Sequence, residues 1–135
     1  MTIEEAARRW AQTWERAWPG KDLEAVLGLY RDDIVYWSEP FREPYRGLAG
    51  VREYVSQAFA EEEGITALFG QPIVDERGTS ISWWACLVEN GDEITLAGTS
   101  NLRFDADGQV IEQWDTWNQA PGSVEASGWL FEGRK

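Results

Sequence analysis

Residues 79–118 read TSISWWACLVENGDEITLAGTSNLRFDADGQVIEQWDTWN. Apolar and polar side chains alternate along this stretch with a period of two, the spacing of strands that bury one face. Asn90-Gly91 and Asp107-Gly108 interrupt the alternation, and both dipeptides favour tight hairpin turns. The stretch therefore predicts three antiparallel strands, at 79–89, 93–104 and 109–118. A further strand at 65–75 precedes them across Arg77-Gly78. Pro72 inside it cannot donate to a ladder, which implies a bulge or an edge position, hence a bend.

Toward the N-terminus the period lengthens. Trp10, Trp14 and Trp18 recur every four residues with Ala7, Ala11 and Ala17 beside them, the pattern of an amphipathic helix. Thr2 and Glu5 supply a capping box at its start, and Pro19-Gly20 is its expected end. Asp22 can cap a second short helix through Leu23, Val26, Leu27 and Tyr30, stopping at Asp32-Asp33. A short strand at 34–38 and an irregular loop at 39–47 with Pro40 and Pro44 follow. A third helix spans 48–62, with Val51, Tyr54, Val55 and Phe59 on one side and Gly64 as its stop. Helices gathered ahead of antiparallel strands define an α+β fold, a curved antiparallel sheet wrapped around three N-terminal helices. Residues 1–118 form one domain. The tail at 119–135 is rich in Gly and Ser, yet Trp129, Leu130 and Phe131 predict that it docks on the domain, with Trp129 a candidate cap for a pocket mouth.

Hydrophobic residues make up 43% and charged residues 27% of the 135, an ordinary globular balance. The net charge of −12 argues against nucleic acid and anionic membranes as partners, since both require a basic footprint. A single cysteine, Cys86, excludes an intramolecular disulfide and a thiolate metal cluster. The opening residues lack the pattern of a signal peptide and no apolar run reaches membrane-spanning length, so the expected address is cytoplasmic. Histidine is absent, which removes the commonest general base and metal ligand. Nine tryptophans stand out instead. Such an excess serves a heavy core or a flat apolar ligand site.

Several stretches carry a family likeness. They are Asp22-Leu23 after the first helix, Leu29-Tyr30-Arg31-Asp32-Asp33, and Pro44-Tyr45-Arg46-Gly47 leading into the third helix. The last hairpin, from Leu102-Arg103-Phe104 through Gly108 to Trp114 and Asp115, completes the set. In order and spacing, residues 4–118 resemble the nuclear transport factor 2-like, or SnoaL-like, superfamily. The resemblance implies a cystatin-like cone with an internal pocket. Its members include ketosteroid isomerases, polyketide cyclases, limonene epoxide hydrolases, scytalone-type dehydratases and non-catalytic binding or dimerisation domains. Fold alone therefore leaves function open.

The likeness also implies where chemistry would sit. Against the steroid isomerases, the base position falls on Ser38, the oxyanion tyrosine on Trp14 and the second aspartate on Ser100. Serine cannot replace that base and an indole N–H is a modest donor. Glu39, next along, is the residue that could move into the base position. The dehydratases use histidine, which this chain lacks. Of the epoxide hydrolases' polar triad only Asp115 has a counterpart.

Asp115 is thus the candidate acid/base, with Glu39 second. On the last strand Ile111, Gln113, Asp115 and Trp117 share a face, joined by Ile81, Trp83, Ala85 and Leu87 and by Gly98, Ser100 and Leu102 from the neighbours. A carboxylate among them would lose water, and its proton affinity would rise. Expected ligand contacts are Trp14, Ser38, Tyr54, Trp83, Ser100, Gln113 and Trp117. A purely structural Asp115, bonded to an indole or tyrosine, is the competing reading. Trp10 and Trp18 read as core, and Glu61, Glu62 and Glu63 as a solvated helix end. Trp84, Trp114, Cys86 and Val88 fall on the convex face, the signature of a homodimer surface. Three functions follow: an enzyme for a small hydrophobic molecule needing no metal or organic cofactor, a binding protein for a flat apolar ligand, or a dimerisation or protein-interaction domain.

Overall fold

The computed structural model describes residues 1–134; Lys135, the last residue of the tail, lies outside the described residues. Helix α1, Ile3–Gly20, starts with the capping box between Thr2 and Glu5. It runs through Pro19 and stops at Lys21, whose left-handed backbone (φ 53°) turns the chain. Lys21 N–H then reaches the Trp18 carbonyl and Asp22 N–H the Ala17 carbonyl, which satisfies the last turn. The cap stabilises by about 1 kcal/mol. The indoles matter more. Trp10 and Trp14 are 2% and 7% exposed, and each buries roughly 150–250 Å². At about 25 cal/mol per Å² that gives an upper limit of roughly 4–6 kcal/mol apiece.

Helix α2, Leu23–Leu27, is shorter than the sequence predicts. Tyr30 leaves it and begins strand β1, Tyr30–Trp37. Pairing across the molecule overrides the local helical pattern, because Val110 N–H bonds the Leu29 carbonyl at 2.8 Å and Tyr30 pairs with Val110. After the loop comes the two-residue strand β2, Tyr45–Arg46, then α3, Gly47–Glu61. The helix ends before Glu62, which is already extended and opens β3, Glu62–Phe69. Gly64 is therefore no helix stop. It sits at a register shift within β3, its positive φ of 59° suiting a bulge.

The chain breaks at Pro72 and resumes as β4, Ile73–Asp75, so the bend expected at this proline divides one strand into two. Both pieces pair with β5, Gly78–Glu89. Strands β6, Asp92–Phe104, and β7, Val110–Pro121, complete a seven-stranded curved, unclosed sheet in the order β2-β1-β7-β6-β5-β3, with β4 beside β5. The α+β class is as expected. The sheet is mixed rather than wholly antiparallel, because β1 runs parallel to β7. A bulge between Arg103 and Phe104 in the β6–β7 pairing turns Val110, not Ile111, into the core.

The tail crosses the convex face. Thr95 Oγ1 donates to the Gly122 carbonyl at 2.8 Å, Trp84 Nε1 to the Val124 carbonyl at 2.8 Å, and Phe131 meets Trp84 edge to face. Arg134 bonds Glu15 and the Phe69 carbonyl. The chain thus covers the Trp84 and Cys86 part of the face read as a dimer surface, and Trp114 remains 41% exposed. Trp129 does not cap the pocket. It is 69% exposed, and Phe131, two residues on, docks in its stead.

Curvature needs close approach on the concave side. Gly98 pairs with Trp117, and a Cβ there would run into the Thr116 carbonyl and lie 2.6 Å from Trp117 Cβ. Gly98→Ala is expected to lower stability by about 1–3 kcal/mol, read from the urea midpoint, because backbone rather than a yielding side chain stands in the way. An unchanged midpoint would show that the sheet bends without this glycine.

Candidate functional site

The concave face of the sheet, α1 and α3 enclose a cavity of about 290 Å³. Strand alternation delivers its polar wall: Ser100 from β6, with Gln113 and Asp115 from β7, all three turned inward and buried. Asp115 Oδ1 accepts from Ser100 Oγ at 2.7 Å and Gln113 Nε2 at 3.1 Å. Oδ2 accepts from the Tyr36 hydroxyl at 3.2 Å and more distantly from Gln113 Nε2 at 3.4 Å.

Behind these donors stands a second set. Trp83 Nε1 donates to Ser100 Oγ at 3.0 Å. Trp10 and Trp14 Nε1 both donate to the Tyr30 hydroxyl at 3.2 Å, and Tyr30 donates to Gln113 Oε1 at 2.5 Å. Gln113 is thereby oriented with its amide N–H groups toward Asp115. Every bond in the chain points at one carboxylate, so the arrangement fits its ionised form. Among the described residues no cation pairs with it.

Neutral donors alone do not offset the loss of water. Burial pushes Asp115 up to about 7, against the opposing bonds from Ser100, Gln113 and Tyr36. Burial and the nearby Asp115 charge likewise push the Tyr36 and Tyr54 hydroxyls well above the usual phenol range, so both act as neutral donors. When Asp115 is protonated its own O–H meets groups already donating to it, and the cavity is the open direction.

The expected contacts separate into two groups. Trp14, Tyr54, Trp83, Ser100, Gln113, Trp117 and Asp115 all line the cavity. Ser38 and Glu39 do not. Trp117 lies against the Ser38 carbonyl, donating to it at 2.8 Å, and takes the lining position. The Ser38 hydroxyl is buried with no partner among the described residues. Glu39 stays on the loop near Arg42, 3.9 Å away, so the candidate second base is outside the cavity.

Sequence reasoning missed Tyr36, although Ile34, Tyr36 and Ser38 share the inward parity of β1 and all are buried. It also misplaced Glu62, and it read Trp10 and Trp18 as core alone. Both indoles line the cavity as well as the core. Glu62 is no solvated helix end: it is 5% exposed, lines the cavity and accepts from Trp18 Nε1 at 2.8 Å. Burial is the main reason its carboxyl rises to about 6, opposed by the Trp18 bond and helped by Glu89. Extended geometry turned its side chain inward, and only knowledge of the helix end could have foretold that. No group of three or more acidic or thiol side chains able to hold a metal occurs among the described residues. No helix among them is long and apolar enough to cross a membrane.

The SnoaL-like domain family matches residues 7–113. The chain belongs to this family. Solved structures agree in fold. A nuclear transport factor 2-like protein of unknown function from Exiguobacterium sp. 255-15 is 18% identical, with 84% of this chain and 98% of that chain covered and a TM-score of 0.69. The Mycobacterium tuberculosis protein RV0760c is also 18% identical, with 90% and 100% covered and a TM-score of 0.73. A hypothetical protein with a ketosteroid isomerase-like fold from Catenulispora acidiphila DSM 44928, in complex with trimethylamine, is 15% identical, with 78% and 82% covered and a TM-score of 0.69. No curated protein matches the chain. At these identities the likeness to the solved structures is one of fold, and this SnoaL-like chain carries its own polar wall.

Asp115 couples that wall to stability. Its folded pKa of about 7 lies above the ordinary 3.8, so the folded state binds more protons between the two values. The stability it contributes is full below pH 4 and lost as the pH rises through 7. Asp115→Asn mimics the protonated form. It is expected to match the wild type at pH 4 and to exceed it at pH 8 by a few kcal/mol, at about 1.4 kcal/mol per pH unit of displacement. Urea unfolding at the two pH values checks this; equal differences at both would refute a raised Asp115.

Proposed function

We propose that this SnoaL-like chain is a small-molecule enzyme needing no metal or organic cofactor, in which Asp115 moves a proton of a flat, largely apolar substrate. The family includes cofactor-free enzymes. The observation that carries the reading is a buried cavity-wall carboxylate whose pKa of about 7 leaves it poised near neutrality. A cavity of about 290 Å³ is at the small end of ligand pockets, and it suits one or two rings rather than four.

The chemistry would run as an isomerisation. Asp115 takes a proton from a carbon beside a carbonyl, and the C–H electron pair moves toward the carbonyl oxygen as an enolate. Neutralising Asp115 releases the donors that held its charge. Tyr36 O–H and a Gln113 N–H then become available to the new oxyanion, both already on the cavity wall. Asp115 returns the proton at a second carbon, and the catalyst is restored. Trp14, Tyr54, Trp83 and Trp117 would hold the body of the ligand and exclude water.

Deuterium exchange tests this before the natural substrate is known. One- and two-ring enones and aryl ketones that quench indole fluorescence are incubated with the protein in D2O, and label at the α-carbon is followed by mass spectrometry. Wild type should catalyse uptake, rising with an apparent pKa near 7. Asp115→Asn should lose about 10²–10⁴-fold while affinity changes less than about threefold. Uptake unaffected by the substitution removes Asp115 from the chemistry. Binding without any uptake in wild type identifies a carrier instead.

A further inference from the structure

The proton-transfer reading leaves a second buried acid unused. Glu62 enters the same cavity from the start of β3, its Oε1 held by Trp18 Nε1 at 2.8 Å and its Oε2 without a hydrogen-bond partner among the described residues. No arginine or lysine among them lies within ion-pair distance of it. Lys21 attracts it from farther off, while Glu89 and Glu61 repel. Around the cavity the charged groups are Glu61, Glu62, Glu89 and Asp115 against Arg42 alone, and Arg42 faces Glu39.

The aromatic walls next to Glu62 have a particular arrangement. Trp18 stands at 79° to Trp14 and 73° to Trp83, with centroids 6.0 and 5.7 Å away. Rings set nearly at right angles make adjoining walls, and an indole face that borders the cavity attracts a cation. An anion would meet an excess of carboxylates there. A neutral ligand that covered Glu62 would take water from Oε2 and give it no partner.

We propose that the cavity selects ligands carrying a positively charged nitrogen, an amine or quaternary ammonium on a one- or two-ring body, with Glu62 as its counter-ion and Trp14, Trp18 and Trp83 as its walls. This rests on the small-molecule reading above and names the ligand class. Glu62 is raised only to about 6 and so carries its charge at neutral pH, as the pairing requires.

Phenyltrimethylammonium and tert-butylbenzene have the same shape and differ in charge, so titrating both at pH 8 by indole fluorescence isolates the cation. The cation is expected to bind at least tenfold tighter to wild type. Glu62→Gln should bring the two within threefold, whereas Glu63→Gln, which removes the same charge from the exposed neighbour, should change the preference less than twofold. Should Glu62→Gln fail to fold, the same loss is read in Asp115→Asn, where Asp115 no longer titrates, between pH 8 and pH 4.5, and a preference that persists there at pH 4.5 overturns the proposal. Equal binding of the two probes overturns it and leaves the Asp115 reading intact. Binding of neither ends both readings. A loss in Glu63→Gln as large as in Glu62→Gln assigns the preference to the chain's overall acidity and overturns the role of Glu62.

Discussion

A carboxylate held away from water with no cation beside it must be compensated by neutral donors, and in this protein those donors come from most of the fold. Helix α1 sends two indoles, β1 two tyrosines, β5 an indole, β6 a serine and β7 a glutamine. The bonds are directional and serial. Loss of the Trp10 or Trp14 donor is felt at Tyr30, then at the orientation of Gln113, and finally at the Asp115 charge. The polar wall and the packing of α1 on the sheet are therefore one structure, because the rings that anchor the helix also terminate the network.

The same rings keep the cavity from closing. Indoles have only two side-chain torsions, and here they lock edge to face, as Trp14 does with Phe59 and Trp18 with Trp83. Aliphatic side chains of equal volume could rotate and fill the space. Gly98 contributes from the backbone, letting β6 and β7 bend where Trp117 turns inward. Trp117 is in turn fixed by the Ser38 carbonyl. These contacts together frame an open, partly polar hollow.

The hairpin stretch at 79–118 was legible because alternation and turn dipeptides act locally. Asn90 and Gly91 both take positive φ, 51° and 84°, as such a turn requires. The inward placement of Asp115, Gln113, Ser100 and Trp83 followed from the same parity. What was not legible depends on partners distant in sequence. Tyr30 fits a helical pattern, yet the pull of β7 across eighty residues makes it a strand residue. Glu62 looks solvent-facing in a run of three glutamates, and one residue's difference in where α3 ends turns it inward. Ser38 has the right parity for the site and is displaced from the lining by an indole that no local rule links to it. The convex face was read as a homodimer surface, and nothing local shows that the tail lies across its Trp84 and Cys86 part.

Two carboxylates in one cavity with different partners titrate apart, and this orders what a cationic ligand would do on entry. The chain's net charge of −12 draws cations toward it at long range, and the acidic rim of the cavity continues that field inward. Glu62, with the lower pKa, is already charged near neutrality and meets the nitrogen first in energy terms. A cation placed there favours the ionised form of Asp115 as well, since an added positive charge in a poorly hydrated space lowers the proton affinity of any neighbouring carboxyl. The ligand would thereby shift Asp115 from its half-protonated state toward the base form that its surrounding donors already fit. Recognition by Glu62 and readiness for proton transfer at Asp115 would then be linked through charge alone, with no movement of the fold.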